Sequence, residues 1–172
     1  DSSEVDKPLL TLIVICTFAL IIQIFLGGWT STNYASLACT DFPKCLNQWW
    51  PSEMSFDKAF TILNLPDINY EGGYLDYTYK LAIHFTHRVG ALILSILFLS
   101  LFIYIYFFQS NYLYKKIGIF IMTFFIIQIL LGISNVLLSL PITVAVLHTV
   151  NASILLMSMI ALLYYSTDRV RK

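Results

Sequence analysis

Four long apolar stretches constrain this chain more than any other feature of its sequence. Residues 9–29, 117–140 and 142–165 contain no Asp, Glu, Lys or Arg, and residues 81–108 contain a single such side chain, Arg88. A helix that crosses the roughly 30 Å hydrocarbon core of a bilayer needs about 20 apolar residues. Each stretch is long enough, and none alternates as the strands of a membrane barrel do. The sequence therefore predicts an all-α membrane protein with four transmembrane helices.

The composition agrees with this prediction. Hydrophobic residues make up 58% of the chain and charged residues only 12%, whereas soluble domains average about 45–50% apolar and about 25% charged residues. Ten basic and ten acidic residues cancel, so the chain has no basic field for nucleic acid. Residues 1–172 are predicted to form one transmembrane domain, a four-helix bundle whose first partner is the lipid bilayer.

Basic residues near the spans predict the orientation of the bundle. They precede the first span, separate the second from the third, or follow the fourth: Lys7, Lys115, Lys116, Arg169, Arg171 and Lys172. All lie on one side if the four helices alternate in direction, and basic flanks favour the cytoplasm. We therefore expect a multi-pass protein of the cytoplasmic (inner) membrane. Both termini should be cytoplasmic, and the long loop 30–79 between helices 1 and 2 should be extracytoplasmic.

The long loop carries a pair of cysteines. Cys39 and Cys45 are six residues apart, and Pro43 lies in a turn-forming segment between them. Disulfides persist in oxidising compartments, so we expect these two residues to be bonded. Free thiols and a redox-active dithiol remain alternatives; a metal site is less favoured because no further ligand is near. Further along the loop, residues 56–63 predict a short surface helix capped by Ser55.

The three histidines are the candidate functional residues. His84, His87 and His148 all fall in predicted spans, where ionisable residues are costly and usually functional. Spans two and four run in the same direction, which places His87 and His148 at a similar depth, roughly 10 Å below the outer surface. Two such imidazoles suit the two axial positions of a haem iron. Structural hydrogen bonding remains an alternative, and a zinc site would want more ligands.

Two neighbours of His87 complete the predicted haem site. His84 is three residues earlier and shares a helix face with His87, so we expect it near the haem but not as a second ligand from the same side. Arg88 is expected to reach outward or to meet a haem propionate. The predicted cofactor-binding residues are therefore His84, His87, Arg88 and His148, with the iron held by His87 and His148.

A short internal repeat indicates how the bundle is built. The first span ends with Gln23-Ile24-Phe25-Leu26-Gly27-Gly28, and the third contains Gln128-Ile129-Leu130-Leu131-Gly132. Each motif is followed by a span that carries a histidine. The pattern predicts one helical hairpin used twice, with each hairpin supplying one ligand, although ordinary helix packing would also explain these residues.

Together these segments resemble the haem A synthase family of membrane oxidoreductases. The resembling stretches are residues 23–29, 37–45, 83–91 and 146–148. The resemblance implies an enzyme of haem A biosynthesis that oxidises the C8 methyl of haem O to a formyl group and so serves cytochrome oxidase assembly. Family members usually join two homologous four-helix halves. This chain resembles the carboxy-terminal half, which holds haem b, and the lack of an initiator methionine at Asp1 agrees with an excised half.

The resemblance also implies roles for individual residues. His87 and His148 match the ligand histidines of that half, and Cys39 and Cys45 match its external cysteine pair. The substrate half of the family has a carboxylate three residues before its first ligand histidine, where this chain has His84. The catalytic group is therefore unknown, and His84 is the best candidate acid or base. The expected partner is the amino-terminal half or a second copy. The alternative function is a non-enzymatic b-type haem electron carrier or haem-handling subunit.

Overall fold

Four apolar helices make up the fold. The computed structural model describes residues 7–61 and 73–171, and within them it has no β-strand beyond an isolated bridge between Cys45 and Gln48. The helices are α1 (Lys7–Thr32), α2 (Tyr77–Ile103), α3 (Tyr112–Leu137) and α4 (Ile142–Arg171), and α2 continues into a π-helical turn at Tyr104–Phe108. Each is long and apolar enough to span a membrane. The predicted all-α class with four spans is confirmed.

The helices extend beyond the predicted spans at several ends. α1 begins two residues earlier and ends three later than the stretch 9–29, and α2 begins at Tyr77 rather than at residue 81. The added residues are largely polar or aromatic, which suits the membrane interface. α3 instead ends before residue 140, because Ser139 and Leu140 adopt left-handed φ values of 56° and 62° and Pro141 follows. A run of apolar residues in the sequence does not show where a turn of this kind ends the helix.

The four helices pack in the order in which the chain visits them. The most extensive contacts are within the two hairpins, α1 with α2 and α3 with α4, and α1–α4 and α2–α3 contacts close the bundle. The helices α2 and α4 therefore lie across a diagonal from each other. This arrangement follows from the membrane, where each helix satisfies its own backbone and pairs with its neighbours through side-chain packing.

The largest apolar cluster, the apolar core, lies toward one end of the bundle, and two smaller ones lie under the loop at the other end. The rings of Phe98 and Phe125 stack with centroids 4.5 Å apart, where α2 meets α3. Tyr114 donates a hydrogen bond to Ser166 at 3.2 Å near the same end. The buried residues of this core belong to the amino-terminal half of α1, the second half of α2, the first half of α3 and the second half of α4: Leu9, Ile13, Cys16, Leu20, Leu94, Phe98, Leu101, Ile105, Tyr114, Ile121, Phe125, Leu155, Met159 and Leu162.

The long loop closes over the opposite end of the bundle. Trp29 donates from its indole N–H to the carbonyl of Ala59 at 2.9 Å, and Tyr77 donates to the carbonyl of Ala38 at the same distance. Between residues 56 and 61 the chain makes two turns with hydrogen bonds between residues three apart. The prediction of a helix over residues 56–63 is therefore wrong for residues 56–61. Residues 62 and 63 lie outside the described part of the chain.

The contact between α3 and the π-helical turn depends on a glycine. A Cβ atom on Gly118 would lie 3.0 Å from Cγ2 of Ile105, tighter than nine in ten Cβ contacts. Gly118→Ala should therefore destabilise the protein by about 1–3 kcal/mol through overpacking, measured by thermal unfolding in detergent. The double variant Gly118→Ala/Ile105→Ala should lose less than the two single variants added together. Independent, additive losses would contradict this account.

Candidate functional site

His87 is held by a glutamine and a glycine of the preceding helix. The Nε2 atom of Gln23 in α1 lies 3.1 Å from Nδ1 of His87 and donates to the His87 carbonyl at 2.9 Å. One helical turn further along α1, a Cβ atom on Gly27 would lie 3.2 Å from Cε1 of the ring. The imidazole therefore rests against bare backbone at Gly27. A side chain at that position would push it away.

His148 is held in the same way by the second hairpin. The Nε2 atom of Gln128 in α3 lies 3.2 Å from Nε2 of His148. A Cβ atom on Gly132 would lie 3.2 Å from Cε1 of His148, the same distance as at Gly27 and His87. In both Gln-x-x-x-Gly motifs the glutamine and the glycine contact the histidine of the following helix, although Gln23 approaches Nδ1 and Gln128 approaches Nε2.

The two histidines occupy corresponding positions in the bundle. Gln23 and Gln128 each lie nine residues before the end of their helix, which is about 14 Å along the axis. Since α1 and α3 end at the same side of the bundle, the bonded histidines lie at matching depth. They project from the diagonal helices α2 and α4, in the half of the bundle beyond the apolar core. Both imidazoles are only half-buried, so they remain accessible to a ligand.

A third amide extends the network at His148. Asn151 in α4 is buried, and its Nδ2 atom donates to Oε1 of Gln128 at 2.7 Å and to the carbonyl of Phe124 at 2.9 Å. The sequence reasoning did not select Asn151. The sequence feature that could have identified Asn151 is an amide side chain within an apolar span, three residues after His148. An unpaired polar group is costly at such a position. The repeat did single out Gln23 and Gln128, but not as partners of the histidines.

The structure places His84 against the loop. It is 4% exposed, and its Nδ1 accepts a hydrogen bond from the backbone N–H of Cys39 at 3.2 Å. Its Nε2 lies 3.3 Å from Nε of Arg88. Both ring nitrogens therefore face the loop and Arg88 rather than His87. These contacts give His84 a role in fastening the loop; its predicted acid or base role stays a prediction.

Arg88 joins the loop to α2, one residue after His87. Its guanidinium donates to the carbonyls of Cys39 (2.9 Å), Asp41 (2.8 Å) and Lys44 (2.8 Å). Three of its five N–H groups are used by these carbonyls. The loop thus supplies the acceptors that a cationic side chain near the membrane needs. The predicted meeting of Arg88 with a haem propionate stays a prediction.

The loop segment that Arg88 grips is closed by a disulfide. The Sγ atoms of Cys39 and Cys45 are 2.02 Å apart, in the pairing that the sequence predicted. Asp41 lies within this ring, and its carboxylate accepts from the backbone N–H groups of Leu46 (2.6 Å) and Asn47 (2.8 Å). Leu46 and Asn47 have left-handed φ values of 53° and 60°, which cost energy in residues other than glycine. Asp41 therefore stabilises an unfavourable turn.

The fold and the site together define a class of membrane protein: a four-helix bundle with one histidine in each of two diagonally placed spans. Each histidine contacts a glutamine of the preceding helix. The chain belongs to the COX15-CtaA family of cytochrome oxidase assembly proteins, whose family model matches residues 1–160.

Curated relatives carry the name heme A synthase. The protein from Shewanella oneidensis is 38% identical over 95% of this chain and 50% of its own length. The one from Rickettsia prowazekii is 30% identical over 88% of this chain and 41% of its own length, and the one from Neorickettsia sennetsu is 26% identical over 81% and 38%. The chain thus spans about half the length of the relatives it matches. No solved structure matches it significantly.

The loop turn should depend on pH through Asp41. The N–H groups of Asn47 and Leu46 hold the pKa of the Asp41 carboxyl below its usual range. Because the pKa is lowered in the folded state, the stabilisation is present above the ordinary pKa of an aspartate and is lost as the pH falls through the folded value. Hydrogen exchange at the amides of Leu46 and Asn47 should therefore lose protection in strong acid.

The matched control for this prediction is Asp41→Asn. That variant keeps an acceptor oxygen but does not titrate, so its protection should be weaker than that of the wild type and independent of pH over the same interval. Identical pH profiles for the two proteins would mean that the carboxylate does not hold the turn.

Proposed function

We propose that this chain holds a b-type haem between His87 and His148 and forms the cofactor-binding half of a haem A synthase. The complete enzyme would oxidise the C8 methyl of haem O to the formyl of haem A. The proposal rests on one observation above others. Two imidazoles, each bonded by a glutamine and backed by a glycine, lie at matching depth on diagonal helices. The names of the relatives support the reaction.

The donor set fits a haem iron. A haem already supplies four nitrogen ligands, so two imidazoles from opposite sides complete the iron. In the described residues no three His, Cys, Asp or Glu side chains cluster, which disfavours a zinc site with three or four ligands.

The residues of this chain would control the group they hold. When bound, the haem would supply one-electron transfer. Gln23 and Gln128 restrict rotation of the imidazole rings before haem is bound. Gly27 and Gly132 let the rings lie against the helix backbones, and the apolar helices keep water away. Arg88 and His84 fasten the loop over the end of α2 that carries His87.

The contacts of His84 favour the cofactor half over the substrate half. This residue stands where the family resemblance implies a carboxylate in the substrate half, and its ring is occupied by Cys39 and Arg88. Oxidation of haem O would then take place in a partner, either the homologous amino-terminal half or a second copy of this chain. Electrons would pass between the two sites.

The distribution of basic residues supports an orientation for the proposed enzyme. Lys7 opens α1, Lys115 and Lys116 lie in the first turn of α3, and α4 ends at Arg171. All lie at the end of the bundle that contains the apolar core. In our proposal this end faces the cytoplasm across the inner membrane. The haem and the disulfide loop then lie toward the extracytoplasmic side.

Removing either ligand should remove the haem. His87→Ala and His148→Ala should each lose most of the bound haem and the low-spin absorption bands, because one imidazole cannot complete the iron. The purified proteins are compared by pyridine extraction and reduced-minus-oxidised spectra. The control is Ser153→Ala, an exposed α4 hydroxyl that bonds only within its own helix, and it should keep a full haem complement.

Three results would contradict the proposal in different ways. Full haem content in both histidine variants would refute the ligand assignment. Haem O or haem A in the wild-type extract would assign the substrate to this half. Haem b without oxidation of haem O by the full-length protein would favour the electron carrier over the enzyme.

Adjacent glycines of α1 offer a matched pair of variants. A Cβ atom on Gly27 would lie 3.2 Å from the ring of His87, whereas one on Gly28 would meet nothing within 4 Å. Gly27→Ala should weaken haem retention about tenfold, since disturbing the surroundings of a ligand histidine typically costs 10–100-fold. Gly28→Ala should match the wild type. Equal haem contents in the two variants would mean that the close approach at Gly27 does not hold His87.

A further inference from the structure

The hydrogen bonds at His148 have a fixed direction that begins at a backbone carbonyl. Asn151 is 5% exposed, and its two N–H groups are used by the Phe124 carbonyl at 2.9 Å and by Oε1 of Gln128 at 2.7 Å. In the reverse orientation of this amide, its oxygen would face the Phe124 carbonyl with no hydrogen between them. Asn151 therefore fixes the amide of Gln128, with Oε1 toward Asn151 and Nε2 toward His148.

This direction determines where His148 carries its proton. An amide nitrogen donates and does not accept, so the Nε2 atom of His148, 3.2 Å from Gln128 Nε2, is the acceptor. A neutral imidazole accepts at one nitrogen and carries its proton on the other. His148 is therefore the Nδ1–H tautomer. Nδ1 has no hydrogen-bond partner among the described residues, so no acceptor there selects this tautomer; the amides alone do.

At His87, no second amide among the described residues fixes the orientation of the glutamine side chain. Gln23 donates to the His87 carbonyl and lies 3.1 Å from Nδ1. Its Oε1 atom, however, is buried without a partner. No side chain plays the part of Asn151 on this side of the described bundle. The two halves of the site therefore hold their histidines in the same place but with unequal restraint on orientation.

We propose that Gln128 and Asn151 are positioning residues for the axial ligand His148. They keep Nε2 free of a proton, so that its lone pair can form the bond to iron. In haem-loaded protein His148 would hold the iron through Nε2, with its proton on Nδ1, and Gln128 would give up this hydrogen bond. Until then Gln128 occupies the lone pair that the iron will use. This inference rests on the proposed haem site, but the tautomer is a property of the protein before haem binds.

The tautomer is tested first, on the full chain prepared without haem. Nitrogen-15 NMR of labelled histidine separates protonated from unprotonated ring nitrogens. We expect His148 as the Nδ1–H form in the wild type, and a mixture of tautomers in both Gln128→Leu and Asn151→Leu. The controls Ser153→Ala and Gln23→Leu should leave the His148 signals unchanged. A mixed or Nε2–H state of His148 in the wild type would overturn the proposal whatever the haem content. Unchanged His148 signals in both Gln128→Leu and Asn151→Leu would do the same.

The second measurement is the rate at which protein prepared without haem binds added haem. Gln128→Leu should bind haem more slowly than the wild type, because the fraction of His148 that carries its proton on Nε2 cannot bind iron there. Asn151 acts through Gln128, so the double variant should be no slower than Gln128→Leu alone. Combined with Gln23→Leu, in contrast, Asn151→Leu should add its full effect.

The outcomes separate the two proposals. Additive effects of Asn151→Leu and Gln128→Leu, or an unchanged binding rate in Gln128→Leu, would overturn the positioning role and leave the haem site standing. A wild type that shows the expected tautomer but binds no haem would overturn the proposed function, and with it the role of the amides toward a ligand. Tautomer loss together with slower, non-additive haem binding would support both.

Discussion

A polar group within a bilayer must find its partner inside the protein, and this requirement shapes the whole bundle. It makes each span a helix, because only there are the backbone groups paired locally. It then acts on the few polar side chains that the spans contain. Gln23 pairs with His87 across the first hairpin and Gln128 with His148 across the second, so the most polar contacts also fix how each hairpin packs.

The two ends of the bundle are held together by different interactions. One end is an apolar core with stacked aromatics such as Phe98 and Phe125, whose packing provides stability between helices. The other end has glycines, amides and imidazoles, with the disulfide loop above them. There, directional hydrogen bonds between side chains join the helices of each hairpin.

Much of this architecture could be predicted from the sequence, because it follows from properties of single segments. The four spans are visible as uncharged runs, and the pairing of Cys39 with Cys45 follows from their spacing in one loop. The depth of His87 and His148 follows from the helical rise.

What could not be predicted depends on side chains that meet across helices. The sequence shows that Asn151 lies in a span but not that its amide reaches Gln128, and it places Arg88 near a membrane surface without indicating three loop carbonyls as its partners. The surface helix predicted over residues 56–63 failed where local turns replaced it, since the pattern of a short segment competes poorly with tertiary contacts.

The grip of Arg88 on the loop has a consequence for how the protein is made. Its guanidinium has acceptors only where the segment from Cys39 to Lys44 has been folded back onto α2. Before that segment has folded onto α2, the cation can be satisfied only by water. Folding of the loop therefore exchanges water for peptide carbonyls around Arg88, one residue from His87.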